Sequence, residues 1–197
     1  MKQERTLSIE GKEYTLLISD EPQALLEAKA SGRAVLGCLD TGNGEGASRD
    51  FQGIPYVVPS MEYVTEELLE LILRRYLGLP WLIDETERLY IREFVKEDAE
   101  NIPEEEYGKE EEIFRDPDKL EVYIKNQYGF YEYGTWAVLK KSPSLLIGMA
   151  GVSNPNLPET ALQALPTLPD DLCWLELGYH IFKPYRKNGY ATEAAKA

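Results

Sequence analysis

Apolar positions recur by twos in some stretches and by threes and fours in others, and the changes of period divide the chain into elements. Residues 14–19 are a short apolar run and predict a strand. Residues 21–30 predict a helix, with Pro22 in its first turn and Asp20 as its cap. Residues 33–39 predict a second strand, residues 40–53 a loop, and residues 54–58 a short third strand. Residues 65–76 predict an amphipathic helix capped by Thr65. Glu66 and Glu67 near its start and Arg74 and Arg75 near its end suit the helix dipole. Strand, helix, strand, strand, helix implies a small, mostly parallel sheet carrying helices over residues 1–80.

Gly78 fits the end of that helix and Pro80 prevents it from continuing. Residues 81–86 read as a docked linker, because Trp81, Leu82 and Ile83 are too apolar for a free tether. A second domain is expected over residues 87–197. Residues 87–94 alternate as a strand, and residues 96–102 turn helical. Residues 104–112 are a run of charge, read first as a solvated helical face. Residues 133–140 and 145–152 predict an antiparallel hairpin. Four prolines, Pro155, Pro158, Pro166 and Pro169, make residues 155–171 a loop rather than an element.

The most informative stretch is 175–195. Leu175, Leu177, Tyr179 and Ile181 alternate with Glu176, Gly178 and His180, the period of a half-buried strand. Pro184 ends it, and residues 191–197 are rich in helix formers. Between them lie Arg186, Lys187, Asn188, Gly189 and Tyr190. Gly189 lets backbone approach a ligand closely. The first N–H groups of a helix have no partner within it and sit at the positive end of its dipole, which suits a phosphate or diphosphate. The other reading is a corner with a glycine turn and no ligand.

The spacing Arg186-x-x-Gly189-x-Ala191, after a strand and before a helix, resembles the acetyl-coenzyme A signature of the GNAT N-acetyltransferases. Residues 176–179 resemble the fourth strand of that fold, residues 133–152 its second and third strands. The opening of the second domain, with Asp98-Ala99, is similar to the ribosomal-protein-acetylating branch. The first domain resembles, more loosely, the Rossmann-like units that precede some bacterial acetyltransferases. The implied fold class is α/β (α+β): a small Rossmann-like α/β domain, then a partial GNAT fold with a mixed, mainly antiparallel sheet. The resemblance also calls for a fifth strand and closing elements beyond Ala197, from further chain or from a second copy in a homodimer.

The same resemblance implies the chemistry. Acetyl-coenzyme A would be the cosubstrate. Backbone amides at Arg186, Lys187, Asn188, Gly189, Tyr190 and Ala191 would hold its diphosphate, and the strand at Tyr179, His180 and Ile181 would pair with its pantetheine arm. Glu176 stands where many members place a base, though an ordinary strand carboxylate fits equally. His180 is the only histidine and reads first as a packed side chain. The acceptor would be an amine on a small molecule or a protein N-terminus.

Charge and cysteine content narrow the partners. Asp and Glu number 35 against 21 Lys and Arg, a formal net charge of −14. That disfavours nucleic acid and anionic membranes; it suits a cationic amine, and equally serves solubility alone. No apolar run approaches the ~20 residues of a membrane span. The start of the chain does not read as a secretory signal, so a cytoplasmic location is expected. Cys38 and Cys173 read as buried thiols, with no metal site. Asp20 follows a strand as a phosphohydrolase nucleophile would, but lacks the paired aspartate, and capping is the better role. The glycine-rich residues 41–46 lack a phosphate-binding spacing and read as a connection.

Overall fold

The computed structural model describes residues 2–40, 50–104, 109–162, 164–169 and 172–197. The chain divides into two compact units, Met1–Trp81 and Leu82–Ala197. It is a mixed α/β protein with one sheet in each unit.

The first sheet has the order β1 (Lys2–Ile9), β2 (Lys12–Ser19), β3 (Ala34–Asp40), β4 (Val57–Ser60). β1 and β2 form an antiparallel hairpin, and β2, β3 and β4 run parallel. Helix α1 (Pro22–Ala30) and helix α2 (Glu66–Tyr76) cover opposite faces. Alternation in the strands shows why. Leu16 and Ile18 pack with Leu69, Ile72 and Leu73 of α2, while Leu17 packs with Leu25 and Ala28 of α1.

The expected strands and helices are present, with three differences. β1 is additional: apart from Leu7 and Ile9 its residues are polar, so its edge position leaves no apolar alternation to read. The last strand begins at Val57, because Ile54 turns into the α1-side cluster instead. Asp20 is not the cap of α1. The helix begins at Pro22, so the capping position falls on Glu21, which has no side-chain cap bond. Asp20 is buried at 6% exposure. Residues 41–46 lie outside the described residues.

The second sheet has the order β5 (Leu82–Glu85), β6 (Leu89–Arg92), β7 (Thr135–Lys140), β8 (Leu145–Ser153), β9 (Glu176–Ile181), with antiparallel pairing throughout. The stretch read as a linker therefore contributes β5, whose Leu82 lies opposite Arg92. Four residues are too few to show a period. One face packs Leu89, Ile91, Val138, Ala150 and Ile181 against Tyr190 and Ala194 of α6 (Tyr190–Ala194). The other packs Phe94, Ala137, Met149 and Phe182 against Leu120 of α3 (Pro117–Tyr123). The chain between β6 and β7 also makes 3₁₀ turns at Lys96–Asn101 and Lys109–Phe114, a π-helical turn at Ile124–Tyr128 and the one-turn helix α4 (Gly129–Tyr131).

Asp98 explains the opening of this unit. It accepts both Nη1 (2.7 Å) and Nη2 (2.8 Å) of Arg92 and the amide of Val95 (2.8 Å), closing the 3₁₀ turn onto the end of β6. Three expectations need correction here. The proline-rich insert holds a one-turn helix, α5 (Glu159–Leu162), started where Ala161 N donates to Pro158 O. Cys38 is buried but Cys173 is exposed, in a stretch where Leu172, Trp174 and Leu175 are exposed too. β9 is not half-buried along its length: Ile181 is buried, whereas Leu177 is 51% and Tyr179 59% exposed. The reason is position. β9 is the edge of the sheet, and the five residues of α6 cover only its Ile181 end.

Candidate functional site

β9 gives way to a turn whose path is fixed by its own polar atoms. Phe182 N donates to Ile147 O at 2.8 Å, holding the strand end to β8. A 3₁₀ turn, Lys183–Tyr185, follows. Arg186 folds back, so that Nε donates to Ile181 O at 2.7 Å and Nη2 lies 3.3 Å from His180 Nε2. Asn188 Nδ2 donates to the carbonyls of Tyr185 and Arg186, both at 3.0 Å.

The backbone then does something a β-branched residue resists. Lys187 has φ +64° and Gly189 φ +81°, both left-handed. Gly189 occupies the capping position of α6 with no side chain to cap it. Among the described residues, no backbone carbonyl outside α6 accepts an N–H from residues 187–191. Consecutive amides with alternating backbone handedness form a concave nest suited to an anion. Arg186 and Lys187 add positive charge beside it.

The turn is anchored from β6's side of the sheet. Arg88 Nη1 donates to Asn188 O at 3.0 Å, and its guanidinium carbon stands 4.5 Å over the Tyr190 ring. Glu193 Oε2 accepts Arg88 Nε at 2.7 Å, and Oε1 accepts Arg88 N at 3.0 Å and Thr86 Oγ1 at 2.6 Å. Burial alone would push the Glu193 carboxyl up, but the hydrogen bonds from Thr86 and Arg88 outweigh it and hold it below the usual glutamate value.

The sequence-selected residues fall into two groups. His180, Ile181, Arg186, Lys187, Asn188, Gly189, Tyr190 and Ala191 gather around the turn. Within it, the side chains of Ile181 and Tyr190 are core. Glu176 and Tyr179 lie further back along β9. Glu176, at the far end, is five extended residues from Ile181, about 17 Å away. Its carboxylate is exposed and accepts the amide of Asn156 at 3.2 Å. Tyr179 stands opposite Ala150 on the α6 face of the sheet. Arg88, Thr86 and Glu193 were not singled out from the sequence. Their only signal is a pair of opposite charges 105 residues apart, which a single chain read in order does not connect. Among the described residues no cluster of His, Cys, Asp or Glu could hold a metal ion, and no helix is long and apolar enough to cross a membrane.

Residues 88–197, more than half of the chain, match the family model described as an acetyltransferase (GNAT) domain. Among solved structures, the acetyltransferase from Agrobacterium tumefaciens str. C58 is similar, at 20% identity and a TM-score of 0.34, over 57% of this chain and 61% of that one. Among curated proteins, none matches.

Proposed function

Since the chain belongs to the acetyltransferase (GNAT) domain family, we propose that it carries an acetyl group from acetyl-coenzyme A to a primary amine. The observation that carries this reading is the turn after β9, whose amides from Lys187 onward donate to no backbone carbonyl outside α6 among the described residues and whose left-handed residues shape a nest for a diphosphate. Amides of residues 187–191 hold the diphosphate, the Arg186 amide being taken by Lys183 O at 3.4 Å, and the side chains of Arg186 and Lys187 add charge. The backbone of β9 from Gly178 to Ile181 pairs with the pantetheine arm, which is feasible because β9 is an open edge.

The chemistry requires a neutral nucleophile, and an alkylammonium has a pKa of about 10. Glu176 takes the proton, directly or through water. The amine nitrogen then attacks the thioester carbonyl, the C–N bond forms, the C–S bond breaks, and the departing thiolate is protonated. Holding both reactants on one strand supplies much of the rate. The acceptor is an amine-bearing small molecule or a protein N-terminus, and an acidic protein of net charge −14 attracts such a cation. The ribosomal-protein branch, a Rossmann-like domain over residues 1–80 and a cytoplasmic location complete the proposal.

A second reading is a binding or oligomerisation module. The exposed Leu175, Leu177 and Tyr179 on a free edge favour it. Unfolding followed with and without acetyl-coenzyme A separates the two. At 100 times its Kd the ligand adds about 2.7 kcal/mol of stability. No change at saturating coenzyme leaves only the module. In a transfer assay on the active protein, Glu176→Gln lowers kcat while the KM for acetyl-coenzyme A stays put; unchanged kcat removes Glu176 from the chemistry.

A further inference from the structure

We infer that Arg88 is a positioning residue for the coenzyme turn: it sets the direction of the Gly189 amide and, by holding Glu193, steadies the helix bond that directs the Tyr190 amide, without touching the ligand. The inference rests on the acetyl-coenzyme A reading above and goes beyond it.

A trans peptide is planar, with its C=O and N–H pointing opposite ways. Arg88 Nη1 holds the carbonyl of Asn188 at 3.0 Å, so the N–H of Gly189, in the same peptide, is turned away from Arg88. The carbonyl of Gly189 accepts Glu193 N at 3.0 Å inside the helix, so the N–H of Tyr190 points back out of α6. Two successive amides thereby face out of the turn, and both are aimed by bonds made on their far sides.

Arg88 is itself held hard. Glu193 Oε2 lies 2.5 Å from Nη2 and 2.7 Å from Nε. The other Glu193 oxygen takes the Arg88 amide and the Thr86 hydroxyl. The Glu193 side chain is 17% and that of Arg88 43% exposed, so the pair is shielded on the carboxylate side only. Tyr190 fixes the guanidinium plane from below, at 4.5 Å. One planar side chain therefore joins the β5–β6 turn, the Asn188 carbonyl, the first residue of α6 and its fourth. A lysine has the charge but no fork to reach the Asn188 and Glu193 oxygens together.

The test compares wild type, Arg88→Lys and Arg88→Ala, each checked for cooperative unfolding. Titration calorimetry with coenzyme A gives the affinity, and nitrogen-15 amide spectra of the coenzyme-free proteins give the turn. Both variants should lose about tenfold in affinity, the size of one hydrogen bond to a charged group. In both, the Gly189 and Tyr190 resonances should move while those of β7 and β8 stay. Glu193→Gln should weaken binding in the same direction and add little to Arg88→Lys. If Arg88→Lys binds as wild type does, the residue contributes only charge and the inference falls, with the coenzyme reading intact. If both variants bind as wild type does, it falls in the same way. If wild type itself does not bind coenzyme A, the underlying reading fails and takes this one with it.

Discussion

Helices α2 and α6 both follow a strand end, yet their N-termini are handled in opposite ways. At α2, Thr65 Oγ1 accepts the amide of Leu68 at 3.1 Å, and Glu66 and Glu67 face the positive end of the dipole. The other end is closed as well. Gly78 N donates to Arg75 O and Leu79 N to Arg74 O, the paired bonds of a Schellman ending. Three apolar residues, Leu69, Ile72 and Leu73, are buried on one stripe. At α6 the capping position is a glycine in the left-handed region, the side chain that could cap is missing, and five residues bury only Tyr190 and Ala194. A helix whose ends are satisfied by its own neighbours is a structural member. One whose first amides are left facing outwards, and then aimed by an arginine, has a surface suited to something outside the chain.

The sharpest blow to this contrast is to α2's buried stripe. Leu73 is 1% exposed, so Leu73→Ala should cost about 2–5 kcal/mol of unfolding free energy by denaturant titration. Coenzyme affinity should remain, because the turn lies in the other unit. Next come the two glycines with positive φ, Gly78 at +71° and Gly189 at +81°. Replacing either by valine should cost about 1–3 kcal/mol of strain, but only Gly189→Val should also weaken coenzyme A binding in calorimetry. Equal loss of binding from both would erase the distinction between the helices.

Acid gives a gentler test. The folded Glu193 carboxyl titrates below the ordinary value of 4.5. A depressed folded value means its stabilisation is complete above pH 4.5 and is lost as the pH falls through the folded value. Thr65 at α2 has no such titration. Urea midpoints measured downwards from pH 6 should fall in wild type, and the part due to α6 docking should be absent in Glu193→Gln. The smallest effect belongs to the uncovered edge: Leu177→Ser, at a side chain 51% exposed, should change stability by less than about 0.5 kcal/mol. A large loss would mean that β9 is covered in solution.

How much could be read from the sequence follows the same division. Local rules carried α2, its Thr65 cap, its Gly78 ending and the hairpin of β7 and β8, because each is decided within a few residues. The turn at 186–191 was legible for the same reason: a strand, a basic pair, a glycine and a helix former stand in order. What was missed depended on distant partners. β1 is a polar edge recognised only by its pairing with β2. β5 is too short to show a period. The exposed Leu177 and Tyr179 read as the covered side of a half-buried strand because alternation reports which side a residue faces, not whether anything covers that side. Arg88 and Glu193 are ordinary surface charges until the fold brings them together.

Whether the turn after β9 holds the coenzyme is decided by titration. Coenzyme A is added stepwise to nitrogen-15-labelled wild-type protein, and each backbone amide is followed. The account predicts that the largest shifts fall on residues 187–191, with smaller ones along β9 and none in β2, β3 or α2. If those five amides stay where they are while the protein is exposed to saturating coenzyme, the turn after β9 is not a diphosphate site and the acetyltransferase mechanism built on it is wrong.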